Sequence, residues 1–249
     1  MNWQTPKTNW TPVDGVRDTD INRIEGNIDY LYNQHARNAI TLYVSPAPTG
    51  SNTTGDGTSA KPYATIQHAL NVLPRSSNGQ TVTIRIAAGT YNEDVVIADF
   101  NGYLNITGSY EAAVTISSLT VRASVCNISA ISLRVNTGIT VTYNATLLSG
   151  SKITIPGGTT GLTVSRGSTC VITAALSIYG VTTAGVSATN ASRVYLLSFV
   201  ISDAAIALES QQGSVISYGN TNMTVTTAAF VTRTGGRIYS GAQSNVPAV

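Results

Sequence analysis

Charge is scarce in this chain: Asp, Glu, Lys and Arg make up only 10% of 249 residues, against about a quarter in an ordinary soluble protein. Aromatics are scarce as well, at 7%, so hydroxyl and amide side chains must keep the surface wet, which points to strands. Fourteen Lys and Arg, scattered along the chain, meet twelve Asp and Glu. The resulting balance of +2 argues against nucleic acid as a partner, because such binding works by neutralising phosphates. No run approaches the ~18 apolar residues of a membrane span, and the opening Met1-Asn2-Trp3-Gln4-Thr5-Pro6-Lys7 lacks the apolar stretch of a secretory signal. A chain made in the cytoplasm without membrane insertion is expected. The two cysteines, Cys126 and Cys170, are too few for a disulfide framework or a structural zinc site, and no metal or cofactor is expected.

What is present falls into three regions. Residues 1–39 hold Trp3, Trp10 and the strongest helical pattern. Asp18 and Asp20 suit a helix start, and Ile21, Ile24, Ile28 and Leu31 follow at steps of three, four and three. Two readings are open, a coiled-coil seam or an amphipathic helix packed on its own domain. Isoleucine at both kinds of core position favours three or four strands over two, though the seam spans barely two heptads. Residues 40–80 read as a short strand, Thr41-Leu42-Tyr43-Val44, a loop rich in Gly, Ser, Thr and Pro, and a short helix with Ile66, Ala69, Leu70 and Leu73 on one face. Such a helix is suited to covering the open end of a stack of strands.

From residue 81 onward the sequence repeats. A small residue followed by alternating apolar positions recurs at Ser118, Gly138, Gly161, Gly185, Ala205 and Ala229, a period near 22. Alternation turns Leu119, Val121, Ile139, Val141, Leu162, Val164, Val186, Ile206 and Leu208 inward, and Thr120, Thr140, Thr142, Thr163, Ser165, Ser187 and Thr189 outward. A second inward position recurs at Leu147, Cys170, Val194, Val215 and Ile238. Three short strands per repeat describe an all-β fold, a right-handed single-stranded parallel β-helix whose coils span 81–249. The register places Cys126 and Cys170 in one column two turns apart, about 10 Å, too far for a disulfide.

Two stretches resemble a known group. The segment Leu42-Tyr43-Val44 with Gly55-Asp56-Gly57-Thr58-Ser59-Ala60-Lys61-Pro62-Tyr63-Ala64-Thr65-Ile66-Gln67-His68-Ala69 resembles the N-terminal cap of pectate-lyase-like β-helices in bacteriophage tailspikes. The opening Trp3 to Trp10, with Asp20 to Ile28, is similar to N-terminal segments of tail or baseplate proteins of phages and phage-like particles. The resemblance implies a homotrimeric tail fibre, spike or receptor-binding protein of the virion. Its residues 1–39 would attach to a tail or baseplate protein and join three chains, and residues 40–249 would be the β-helix. It also raises the alternative of a polysaccharide depolymerase, since tailspikes of this fold often cleave their receptor.

The residues offer that alternative little. Glycoside hydrolysis needs two carboxyl groups about 5–10 Å apart, and a lyase needs a base beside a charge-neutralising group. Beyond Thr115 the only acids are Asp203 and Glu209, which could meet only across a corner or between chains. Glu93, Asp94, Asp99 and Glu111 lie in the first turns, where Glu93 and Asp94 read as loop solvation rather than a calcium site; Asp56 reads as a turn residue. His35 and His68 fall on the helices, away from any triad, and Gly157-Gly158 and Gly235-Gly236 read as solenoid corners. No catalytic residue is assigned; an enzyme would have to use Asp203, Glu209, Glu93 or Asp94. Thr-x-Thr at 81–83, 140–142 and 224–226 occupies unlike repeat positions and builds no flat ice-binding ladder. Tyr179, Tyr195, Tyr218 and Tyr239 recur in the same half of successive repeats. They suit either a surface for bacterial glycans or packing between the chains of a trimer.

Overall fold

The computed structural model describes residues 5, 6, 8, 11, 15–36 and 39–240, leaving aside the side chains of 29–36, 78, 109–111 and 130. The chain divides into two compact units at Ile40/Thr41.

In the first unit, helix α1 (Asp18–Ala36) starts because Asp20 closes its open end. The Asp20 carboxylate accepts from the backbone N–H of Arg17 at 3.2 Å and pairs with the Arg23 guanidinium at 3.2 Å. The helix shows Ile21, Ile24 and Ile28 to solvent at 46%, 49% and 60% exposure, whereas Asp20 and Asn27 are buried. Leu31 lies outside the residues whose side chains are described.

The second unit is all-β, a right-handed parallel β-helix of about seven turns. Fourteen strands belong to one hydrogen-bonded system, and every described register between them is parallel. Three faces recur in each turn. Face A stacks Val82, Leu104, Cys126, Leu147, Cys170, Val194, Ile216 and Ile238. Face B stacks Val114, Leu133, Ile153, Leu176 and Phe199, and face C stacks Val95, Leu119, Ile139, Leu162, Val186, Leu208 and Phe230. At about 4.8 Å per turn the stack rises roughly 34 Å. Its core is nearly dry hydrocarbon: Leu104, Leu147, Ile153, Leu162, Val186 and Leu208 are fully buried.

Two registers differ from the sequence reading, by two residues and by one. Val186 pairs with Leu208 and Ala184 with Ile206, so the small residue matching Gly185 is Ala207 rather than Ala205. A slip of two preserves which residues face inward, so alternation alone cannot detect it. The register is irregular between Ser202 and Ile206, where Asp203 has a φ of 57°, and returns to the same offset of 22 residues beyond it. On face A the inward residue is Ile216, fully buried, and Val215 is only half-buried. Gly161 and Gly185 are small of necessity, since a Cβ there would stand 2.6 Å from Ile178 and 2.7 Å from Ile201.

The corner between faces C and A is made with left-handed backbone at Ala123, Asn144, Arg166, Asn190, Ala191 and Gln212. Just inside it, Ser124, Ser168, Ser192 and Ser214 form an internal column two residues before the inward residue of face A. The hydroxyls of Ser124, Ser168 and Ser214 accept from the turn before, from Phe100 N at 3.0 Å, Ala145 N at 3.1 Å and Ser192 N at 3.0 Å, whereas the buried Ser192 hydroxyl has no partner among the described residues. Each bond satisfies an amide that the corner would otherwise leave bare. Thr142 and Ser187, which alternation places outside, are also buried.

Cys126 and Cys170 are free and fully buried in the same column, separated by Leu147. Burial pushes both thiols from 9.0 up to about 12. Neither should react with a thiol reagent until the protein unfolds, when both should. The linked pH effect has a fixed sign. Above pH 9 the unfolded chain sheds thiol protons that the folded chain keeps, so stability is intact below about 9. It falls as pH climbs toward 12, by about 1.4 kcal/mol per pH unit for each thiol. Denaturation midpoints of the wild type and of Cys126→Ser/Cys170→Ser between pH 8 and 11 measure the difference. Equal alkaline slopes would show that the thiols are not linked to folding.

Candidate functional site

The acids proposed for chemistry are dispersed. Glu93 caps helix α2 (Ile66–Val72): one carboxylate oxygen accepts from Ile66 N at 2.7 Å and the other from Gln67 N at 2.9 Å. This corrects the reading of Glu93 as a solvated loop residue. Gln67 completes the dock by accepting from Val96 N at 2.7 Å. Beside it Tyr91 is buried and donates to the Ala87 carbonyl at 2.9 Å, and burial, then the Glu93 charge, raises its hydroxyl above the ordinary phenol range.

Asp94 accepts from the Ser118 hydroxyl at 2.6 Å, and Asp99 pairs with Arg122 at 3.4 Å on an exposed corner. Asp203 stands exposed at its bulge, while Glu209 lies on the outer side of face C, 3.5 Å from Arg233. Six residues of nearly extended chain separate them, roughly 20 Å, too far to flank one bond. Glu111 and His35 fall outside the residues whose side chains are described. Asp56 accepts from Thr58 N at 3.0 Å and Thr58 Oγ1 at 2.7 Å, and these bonds, the hydroxyl's first, hold its carboxyl below the ordinary range, as in a turn. His68 lies edge-on to Tyr63 in the cap, 4.7 Å between centroids. Among the described residues no three His, Cys, Asp or Glu side chains gather as metal ligands.

The tyrosines divide into three situations. Tyr195 and Tyr239 occupy one outward column of face A, each paired with Ser217 between them, so they stand two turns or about 10 Å apart. Tyr218, stacked on Phe230 at 5.6 Å and edge-on to Phe199 at 5.7 Å, is half-buried and lines the surface groove beside Tyr195. Tyr179 ends a face B strand, where its hydroxyl accepts from Arg134 at 3.2 Å. The structure thus sets Tyr195 and Tyr239 in one column, with Tyr218 beside Tyr195 in the groove wall, and leaves Tyr179 apart.

The column that holds them changes character along the solenoid. Its early turns carry Asn105 and Asn127, where Asn127 Nδ2 donates a hydrogen bond to Asn105 Oδ1 at 2.8 Å. Its later turns carry Leu148, Val171, Tyr195, Ser217 and Tyr239. Around Tyr195 the surface forms a shallow open groove, walled by Val171, Thr173, Leu197, Ser217 and Gly219. Leu197 is 59% exposed and Tyr195 42%, so an apolar and aromatic strip faces water on an otherwise hydroxyl-rich surface. A sugar ring, apolar on its faces and polar at its rim, matches such a strip with hydroxyls and amides around it.

No family model, curated protein or solved structure matches this chain.

Proposed function

We propose that the protein is a non-enzymatic, homotrimeric fibre or spike component of a phage or phage-like tail, which holds a bacterial surface glycan on the outer side of face A. The observation that carries the proposal is the Tyr195–Tyr239 column: two tyrosines in register two turns apart, beside an exposed groove, on a solenoid whose carboxylates are occupied or isolated. The open isoleucine face of α1 supports joining of three chains. The resemblance of the N-terminal stretches to tail and baseplate proteins supports a place in a virion, with residues 1–39 as the attachment.

Tyr195→Ala/Tyr239→Ala should abolish binding to purified host wall glycans, with a loss of about tenfold or more for removing two stacking rings, while leaving oligomeric mass and melting unchanged. Release of reducing ends or unsaturated sugars by the wild type would overturn the non-enzymatic reading in favour of a depolymerase. Dissociation of the oligomer by the same substitutions would make the strip an interface between chains instead.

A further inference from the structure

The charge of this protein is unevenly distributed. Residues 115–249 contain seven Lys and Arg and two Asp and Glu, a balance of +5, so residues 1–114 carry −3 of the overall +2. Part of that positive charge lies in the tyrosine column itself. Arg193-Val194-Tyr195 and Arg237-Ile238-Tyr239 are the same outward-inward-outward triplet, and Val215-Ile216-Ser217 pairs with both. Each tyrosine therefore has an arginine two residues before it on the same outer side of the sheet, and the intervening turn offers only small, uncharged Val215 and Ser217. Arg193 is exposed, with no carboxylate paired to it among the described residues. Arg237 is exposed and donates to the Tyr239 hydroxyl at 3.4 Å. Of the two acids in residues 115–249, Glu209 is engaged with Arg233.

Accepting the glycan reading above, we propose that the ligand of this face is an acidic polysaccharide. Two guanidinium groups would hold anionic groups on the chain, and the two tyrosines would hold the sugar rings beside them. An arginine with no acid partner on an acid-poor surface is an open binding site for carboxylate or phosphate, which it can grip with two parallel hydrogen bonds. The two-turn spacing suits a polymer running along the solenoid axis. In an extended glycan successive units face alternately, so every second unit presents its acidic group to the same side. A positive field over residues 115–249 adds attraction at a distance, which salt weakens.

The full chain is to be tested by affinity electrophoresis and titration calorimetry. The probes are hyaluronan, with one carboxylate per disaccharide; phosphomannan against the same mannan without phosphate; neutral dextran; and a twenty-residue oligothymidylate. The proposal expects binding to hyaluronan or phosphomannan, about tenfold weakening at high salt, and none to dextran or plain mannan. Arg193→Gln/Arg237→Gln should lose about tenfold in affinity with mass and melting unchanged. Which acidic probe binds distinguishes carboxylate from phosphate recognition. Wild-type affinity in the arginine variant overturns the proposal, and so does failure of both acidic probes. Neutral glycan binding that is lost only in Tyr195→Ala/Tyr239→Ala would leave the glycan face standing and remove its acidity. Oligothymidylate binding as tightly as the glycans, through the same arginines, would make the face a general polyanion site and overturn the specific reading. If host wall glycans and every probe fail alike, the glycan reading itself falls.

Discussion

Replacing Glu93 by Ala should release the cap from the solenoid. Both carboxylate oxygens of Glu93 are used on the first two amides of α2, at 2.7 and 2.9 Å, and no other described group reaches Ile66 N or Gln67 N. Hydrogen bonds to a charged group are each worth about 1.5–3 kcal/mol net. The site is half-buried, so a combined loss of about 3 kcal/mol is expected after allowing for solvent. Glu93→Gln keeps one acceptor and should lose about half as much. The change would be local before it is global: amides 66–72 should exchange rapidly while those of Ile153, Leu162 and Leu176 stay protected. Undocking would bare Ile66, which lies at the end of the interior with Ile86, Val95 and Ile106, and would open the first parallel edge to other chains. Concentration-dependent association should therefore accompany the faster exchange. Unchanged exchange at 66–72 would show that the apolar contacts of Ile66 and Ala69 hold the cap without the carboxylate.

The repeat was legible because a parallel solenoid buries the same parity of residues in every turn, and apolar alternation records parity directly. Hence the inward residues of face C, from Leu119 to Leu208, and the shared column of Cys126 and Cys170 are readable without coordinates. What alternation does not record is where one strand yields to the next. Ala205 and Ala207 share one parity and both precede an apolar residue, so they look equivalent until hydrogen bonds choose between them. The internal serines were hidden for a different reason. Hydroxyls are also the commonest outward residue here, and only their fixed place two residues before Cys126, Cys170, Val194 and Ile216 sets Ser124, Ser168, Ser192 and Ser214 apart. That spacing was available as a signal.

The candidate site was legible in part for related reasons. Tyr195 and Tyr239 share a repeat position and emerge together. Tyr218 is one residue out of phase with them, so its half-buried ring stacks on Phe230 while still lining the groove. Glu93 could not be assigned from sequence, because its partners are 26 and 27 residues earlier and the contact exists only once the cap folds over the first turn.

On the trimer proposed above, the wild type should scatter light as three chains and a variant with Ile21, Ile24 and Ile28 all replaced by Gln as one. Glutamine is nearly as good a helix former as leucine, so α1 should persist and only its apolar face should disappear. Each of the three isoleucines is about half or more exposed on the isolated chain, and burying such a side chain against two partners is worth about 1.5–3 kcal/mol. The seam is short, so the wild-type assembly should also weaken on dilution. The solenoid keeps its own core, and its denaturation midpoint should not move. Binding to a glycan-coated surface should suffer far more than the mass change suggests. Three linked faces gain about a hundredfold to ten-thousandfold over one, and the variant forfeits that gain while its affinity for a soluble oligosaccharide stays the same. A wild type that is already a single chain at every concentration would remove the trimer, whereas a variant that keeps its mass would move the joining surface from α1 to the solenoid, with the exposed strip at Tyr195 and Leu197 the next surface to substitute.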